Sequence, residues 1–504
     1  MADDPVQMVP LTEVQALIAA AVLPVQTALD EAKRTIRTLL RQIYGTRSER
    51  AEIVLDAEGQ QFINPAWHVG TPAPSPVSEN PAEAEAPVRA KRQVHGVAQR
   101  HPHLPIKETQ AALAPELQEQ VEEGSLKIER TGRFHDSLVV PRGSPFIQRE
   151  FEVQLVKAAD SQPVLVAPMT PQLVEGGSLA DETIHSLVIA KFMDAIPLHR
   201  TLCAWERQQI DVSKQTVNDA LTAWSATFQS LAETIITLVL TAEVVFADES
   251  WARVQKPGSC ASTNIWTLVG NGLVGYQFTP DRTHKRAAEI IPPDFRGYLM
   301  CDAWAGWKTL ADIRRAGCNA HARRPFAAFA KENDDAAKMV RLYADLYRFE
   351  HLATEGPPQT LLERRMTIRT RDSTPIMDQI EVEAARIAKS YPNSHPLAEG
   401  ARYIANHREA LRRFLREPLL PPDNNAAENA LRINALIRKN SMFFGSNEGG
   451  ERAAIALTVL HSCRLTGTEP LAYLQRVTPA LIQHRRGKSI DLAALIPVPQ
   501  AKPS

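Results

Sequence analysis

Three carboxylates occupy places where a rigid element would hold them. Asp248 closes the apolar run VVFAD and Asp302 closes GYLMCD, while Glu428 lies in DNNAAENALRINALIRKN. In that last stretch Asp423 or Asn424 can cap a helix that carries Glu428 in its first turns. Hard oxygen donors of this kind suit Mg²⁺ or Mn²⁺. Phosphoryl transfer to or from DNA is the chemistry such ions serve, since it needs an in-line nucleophile, a leaving oxygen and cations to absorb phosphate charge. Each acid also has an ordinary explanation. An Asp after a strand is commonly a turn or capping residue. Arg432 follows Glu428 at the four-residue spacing of a surface ion pair. Two strand-end aspartates and a helical glutamate suit a ribonuclease H-like core.

The elements that must hold these acids follow from pattern. A chain of 504 residues exceeds one ordinary core and implies several domains. Residues 1–63 read as an N-terminal helical region, with apolar steps of three and four over 11–44, basic residues in its second half and a possible coiled coil. Residues 64–90, rich in Pro, Ala and Glu, read as a flexible linker. A small mixed domain is expected over 91–175, where FIQREFEVQLV alternates as a strand pair or one long strand. Residues 176–240 read as helical and helix-turn-helix-like, with Ser213 as N-cap and Val217, Leu221 and Trp224 on one face; such stretches also occur in proteins that never touch DNA. A catalytic core is expected over 241–465, with an Asn-Gly hairpin turn, a mostly helical insertion at about 326–416, and a tail over 466–504. The fold class is thus multi-domain α+β, with a ribonuclease H-like α/β core.

Composition narrows the setting. Hydrophobic residues make up 44% and charged residues 23%, ordinary for a soluble globular protein. No apolar run approaches membrane-spanning length and MADDPVQMVP lacks the features of a signal peptide, so the expected location is cytoplasmic. The formal net charge of −1 does not advertise nucleic acid, but basic residues gathered on one face can bind it. Cys203, Cys260, Cys301, Cys318 and Cys463 are scattered and fit neither a disulfide framework nor a zinc ribbon.

ADESW around Asp248, GYLMCDAWAGW around Asp302, CNAHARRPF at 318–326 and DNNAAENALRINALIRKNSMFFGSNEGGERAA at 423–454 together resemble transposases of the bacterial insertion sequence sixty-six family. LLRQIYGTRSER at 39–50, AKFMDAIPLHRTLCAWERQQIDVSKQTV at 190–217 and LTGTEPLAYL at 465–474 extend the resemblance in family order. It implies a DDE triad of Asp248, Asp302 and Glu428 holding two Mg²⁺ or Mn²⁺ ions. It also implies double-stranded DNA as partner, both element ends and target, a homodimer or larger assembly on that DNA, and accessory proteins of the same element. Cys318 and His321 look like the CxxH element of several DDE transposases, and they are expected to pack beside the site or orient its ligands and not to bind metal themselves. Arg323, Arg324, Arg432, Arg438 and Lys439 are candidate DNA contacts. The family's cysteine-rich zinc segment has no counterpart, since residues 51–202 contain no cysteine, and no zinc is expected. KRQVHGVAQRHPH at 91–103 is a candidate DNA-backbone contact in its place. Asn429 stands where the family commonly has a basic residue, and Trp304 and Trp307 stand where tyrosines are usual. A nuclease of the same fold, or a domesticated DNA-binding protein without catalysis, are the rival readings.

Overall fold

Short apolar alternations set out the strands of this chain. A computed structural model describes residues 53–55, 61–63, 96–140, 144–167, 169–256, 258–310 and 312–498. In chain order the strands are β1 (Ile53–Leu55), β2 (Gln61–Ile63), β3 (Ile106–Gln110), β4 (Leu126–Val139), β5 (Phe146–Lys157), β6 (Pro163–Ala167), β7 (Val244–Lys256), β8 (Ser259–Gly270), β9 (Leu273–Thr279), β10 (Tyr298–Cys301) and β11 (Arg314–Gly317). The chain divides into two units, Met1–Arg92 and Gln93–Ser504. In the first, β1 pairs antiparallel with β2. That pair falls within 1–63, read as helical; three-residue strands are too short to show a period. The expected helix over 11–44, its coiled-coil reading and the linker over 64–90 lie outside the described residues.

In the second unit, FIQREFEVQLV forms one strand, β5, which pairs antiparallel with β4 and β6 and parallel with β3. In the described part of the stretch 91–103, Val97 and His101 are turned inward while Arg100 stays exposed. His101 is buried, its Nδ1 3.1 Å from the Val97 carbonyl and its Nε2 accepting from the Asp211 N–H at 3.1 Å. His103 contacts the Gln208 carbonyl. These two rings therefore fasten the segment to the 208–211 turn.

Ser213 caps the helix Lys214–Leu240, its Oγ accepting from the Thr216 N–H at 3.0 Å. Val217, Leu221 and Trp224 are buried, and this helix packs on β8 and β9. The face that suggested a helix-turn-helix thus belongs to the core. Trp224 Nε1 donates to His185 Nδ1 at 3.1 Å, and Thr478 Oγ1 lies 3.0 Å from His185 Nε2. Burial drives the His185 pKa down to about 3. The unfolded chain therefore takes up a proton near pH 6.5 that the folded chain refuses. This contribution to stability is present above pH 6.5 and is lost as pH falls towards 3, at about 1.4 kcal/mol per pH unit. His185→Asn is expected to flatten the acid limb of stability between pH 6 and 4 in denaturant titrations; an unchanged slope would count against a neutral buried imidazole.

The main sheet has the order β11-β10-β7-β8-β9. β7, β8 and β9 are antiparallel, with Asn271 and Gly272 (φ 52° and 73°) making the two-residue turn between β8 and β9. β10 and β11 run parallel to β7. Alternate residues feed two cores. Val245, Ala247, Leu299 and Cys301 join a core with the helices Lys214–Leu240, Asn447–Thr466 and Pro470–Arg485. Met300 belongs to a second core, against which Val244, Phe246 and Tyr298 pack, together with Phe326, Met339, Tyr343, Ile380 and Leu397 of the helical stretch 319–415. The free edge of β9 is covered by the helix Asn447–Thr466: Thr458 Oγ1 accepts from the Tyr276 N–H at 2.8 Å and Ser462 Oγ from the Val274 N–H at 3.2 Å. Gly450 permits this approach, since a Cβ there would lie 2.3 Å from the Phe278 ring. Residues 466–504, read as a tail, contain the helix Pro470–Arg485, which buries Leu474, Val477 and Leu481 against the helix Asp181–Phe192. No helix among the described residues is long and apolar enough to cross a membrane.

Candidate active site

Sheet register brings the two aspartates together. Tyr298 pairs with Val244, Leu299 with Val245 and Met300 with Phe246. Carried two residues further, this register sets Asp302 beside Asp248, on the face shared by Phe246 and Met300. Asp302 does follow the end of a strand. Asp248 does not: it lies within β7, opposite Thr267 of β8. WARVQK continues β7 as an arm of the β7–β8 hairpin, so only the pairing with β10 stops at this point. Beyond Phe246, the β10 side of β7 has no strand partner; on that side the Ala247 carbonyl takes the Asn424 side chain, and Arg253 and Gln255 bond to Phe444 and Gly445.

Asp302 is held by the word that follows it. Its Oδ1 accepts from the Trp304 N–H at 3.0 Å and from Trp307 Nε1 at 3.2 Å. Trp307 is buried and meets both Trp266 and Trp304 edge-on, while Trp266 and Trp304 are tilted against each other, with ring centroids 5.0–5.5 Å apart within the trio. The tryptophans thus supply a rigid wall and an indole N–H to the carboxylate.

Glu428 comes from the helix Asn425–Ser441. Asn424 holds its N-cap position without a side-chain cap bond, and Asp423, one residue earlier, accepts from the Asn425 N–H through Oδ1 at 3.1 Å. Asn424 does something else: its Nδ2 donates to the carbonyl of Ala247, the neighbour of Asp248, at 2.9 Å. Near the helix's other end, Arg438 donates to Ser250 Oγ and the Trp251 carbonyl, both at 3.0 Å, and stacks over the Trp251 ring. The helix is therefore fastened to β7 on both sides of Asp248. Asn424→Ala strands the Ala247 carbonyl and is expected to cost about 1–3 kcal/mol of stability. Urea denaturation checks this, and a loss under about 0.5 kcal/mol would show that the link carries little.

The Glu428 carboxylate faces the helix Asn319–Phe329. Oε1 lies 3.3 Å from His321 Nδ1 and 4.0 Å from Cys318 Sγ, and Oε2 accepts from Arg324 at 3.2 Å. The ion pair with Arg432 allowed by spacing does not form; Arg432 is exposed. Burial, with repulsion from Asp302 and Glu428, pushes the Asp248 carboxyl up to about 7, against the Glu249 N–H bond and the Arg324 charge. Glu249 is also pushed up to about 7, by burial and then by Asp302, although Arg282 pairs with it. Burial raises the Cys318 thiol to about 11, and burial with Arg324 lowers the His321 imidazole.

The structure thus gathers Asp248, Asp302, Glu428, Cys318, His321 and Arg324. Arg432 and Lys439 are exposed on one side of the glutamate helix, a turn or more beyond Glu428, and Arg323 is half-buried. Arg438 is engaged with Ser250 and Trp251. Sequence reasoning did not single out Glu249, Arg282 or the crossing role of Asn424; the doubled Asn in DNNAAE was the available signal.

The family model described as "Transposase IS66 family" matches residues 177–452, which include every residue of this site. Across 489 residues, 92% of this chain and 87% of the relative, the chain is 26% identical to the uncharacterized protein y4qI of Sinorhizobium fredii. It is 27% identical over 341 residues to the uncharacterized protein y4jD of the same organism, covering 63% of this chain and 66% of that one. The matched span exceeds half of the sequence and carries both aspartates and the glutamate helix; the chain belongs to the IS66 transposase family.

Proposed function

We propose that this chain is a DDE transposase that cuts DNA at the ends of its insertion sequence and joins those ends to target DNA. The observation that carries the reading is the convergence of Asp248, Asp302 and Glu428: the β7–β10 register sets Asp302 beside Asp248, and Asn424 ties the glutamate helix to the Ala247 carbonyl, so that both other acids raise the Asp248 carboxyl. The strand order and directions support a ribonuclease H-like reading of the core: three antiparallel strands are followed by two parallel ones, with Asp248 in β7 and Asp302 just after β10.

The donor set fits hard divalent cations. It is made of carboxylate groups, two of them brought side by side by paired strands, and their mutual repulsion is the cost a cation removes. Two Mg²⁺ or Mn²⁺ ions held by Asp248, Asp302 and Glu428 would supply charge to activate the attacking oxygen and steady the leaving one. The protein's share is positioning. Trp304 and Trp307 orient Asp302 through Oδ1. Asn424 sets the glutamate helix against the strand of Asp248. Arg324 pairs with Glu428, and its guanidinium suits a phosphate oxygen in exchange. Exposed Arg432 and Lys439, with Arg323, extend positive charge beyond the acids for the DNA backbone. In the first step a water oxygen bonds to phosphorus and the bond to the 3′ oxygen breaks, freeing a 3′-hydroxyl. In the second that hydroxyl attacks target DNA and displaces another 3′ oxygen, with no protein–DNA covalent bond. Acting on two ends together calls for at least a dimer on DNA.

The test is strand transfer. Pre-cut element ends, a target plasmid, Mg²⁺ and the full chain are expected to give end DNA covalently joined to plasmid. Nicking without joined product would make the protein a nuclease; DNA binding with neither reaction would leave a non-catalytic binder.

A further inference from the structure

Glu428 has a second set of neighbours besides the aspartates. Cys318 Sγ, a His321 ring nitrogen and a Glu428 carboxylate oxygen all lie within 4.8 Å of one another. They come from two helices: Cys318 caps the helix Asn319–Phe329 and His321 is in its first turn, while Glu428 is in the first turn of Asn425–Ser441. The helices are locked together at this point, because the Asn424 N–H donates to Cys318 Sγ at 3.3 Å and the Asn319 N–H and Nδ2 donate to the Pro422 carbonyl. His321 Nδ1 is buried and makes no hydrogen bond, although it faces the Glu428 carboxylate. Sulfur, imidazole nitrogen and carboxylate oxygen are the donor types of a borderline-soft cation, and three protein donors with a fourth position open form a familiar zinc arrangement. A backbone N–H aimed at the sulfur steadies a thiolate.

We infer that Cys318, His321 and Glu428 form a binding site for a thiophilic divalent cation of the Zn²⁺ class, and that an ion bound there withholds Glu428 from the two aspartates and stops DNA cleavage. Binding replaces the thiol proton, which passes to solvent as the sulfur–metal bond forms; no electrons change hands. The expectation of no zinc rested on the lack of cysteine in 51–202 and on the CxxH pair taken alone. The third donor arrives from a helix 110 residues away along the chain. The inhibitory half of this inference rests on the proposed catalytic role of Glu428; the binding site does not.

Cobalt separates the two. The full chain carrying Cys203→Ser and Cys260→Ser, which removes the exposed thiols, is titrated with Co²⁺ under a non-thiol reductant. The expected result is one Co²⁺ per chain, a sulfur-to-cobalt charge-transfer band and the visible bands of four-coordinate cobalt, all discharged by Zn²⁺. Cys318→Ser should abolish the charge-transfer band. His321→Gln, at a partly exposed position, should weaken affinity beyond the roughly 10–100-fold that an outer partner is worth. Absence of the band, or a band indifferent to both substitutions, overturns the site. Zn²⁺ is then titrated into Mg²⁺-dependent cleavage, each variant measured against its own zinc-free rate. Both substitutions should raise the zinc concentration for half inhibition by more than tenfold; equal sensitivity overturns the sharing of Glu428. A cobalt–thiolate band in a protein that never cuts DNA would sink the transposase reading and leave the site standing, whereas cleavage without any band would do the reverse.

Discussion

Asp248→Asn is expected to abolish cleavage while making the metal-free protein more stable. The two effects have one cause. Asp248 titrates near 7 in the fold, because burial and its acidic neighbours disfavour its charge, against about 4 in an unfolded chain. A raised carboxyl costs no stability below the unfolded pKa. The cost grows as pH rises from about 4 to 7 and is complete above that. Removing the charge should therefore add on the order of 1–3 kcal/mol at pH 8, after discounting for solvent at a partly open site, and nothing at pH 4. Asparagine can still accept the Glu249 N–H. Cleavage should fall on the order of 10³-fold, the consequence of losing several kcal/mol of charge stabilisation in the transition state. Denaturant titration at both pH values, beside a nicking assay, checks the pair. A variant that is inactive and also destabilised at pH 8 would point to simple misfolding.

The largest stability loss is expected away from the acids. Arg369 is fully buried, makes two bonds to the Glu350 carboxylate at 2.6 and 2.7 Å, and donates to the carbonyls of Phe414, Glu417 and Leu420. One guanidinium thereby ties the helix Asp334–Thr354 to the turn that leads into the glutamate helix. Arg369→Ala leaves a buried carboxylate and three carbonyls without their donor, and should destabilise the Gln93–Ser504 unit by about 3–5 kcal/mol. The double variant Glu350→Leu with Arg369→Met should recover much of this, since no charge then stays buried alone. A single-variant loss below about 1 kcal/mol in urea would mean that water replaces the guanidinium.

What the sequence disclosed divides along physical lines. Local patterns were readable: the Asn271-Gly272 turn, the Ser213 cap, the apolar runs of β7 and β10, and the helical periodicity of 326–416. The three acids were nameable from their words, and family resemblance tied them to one chemistry. Relations between distant segments were not readable. Nothing in DNNAAE says that Asn424 reaches the Ala247 carbonyl, or that Cys318 and His321 end beside Glu428; both follow from the packing of two helices across a sheet edge. Asp248 was placed at a strand end because the apolar run stops there, whereas half-exposed WARVQK continues the strand through hairpin bonds. Residues 466–504 read as a tail, yet Leu474, Val477 and Leu481 are core on a helix that begins at Pro470 and contains Pro479, a residue that breaks the helical pattern in the sequence. The Trp224 face was ambiguous because a core face and a DNA-reading helix share one period.

The central claim is that Asp248, Asp302 and Glu428 act as one metal-dependent centre on DNA. Cleavage of duplex DNA carrying the element's inverted-repeat ends tests it most directly, using the full chain with Mg²⁺, with chelator, and with Asp302→Asn and Glu428→Gln. The account predicts cuts at the element ends with Mg²⁺, none with chelator, and a loss on the order of 10³-fold for either variant. Cutting by both variants at the wild-type rate would contradict it.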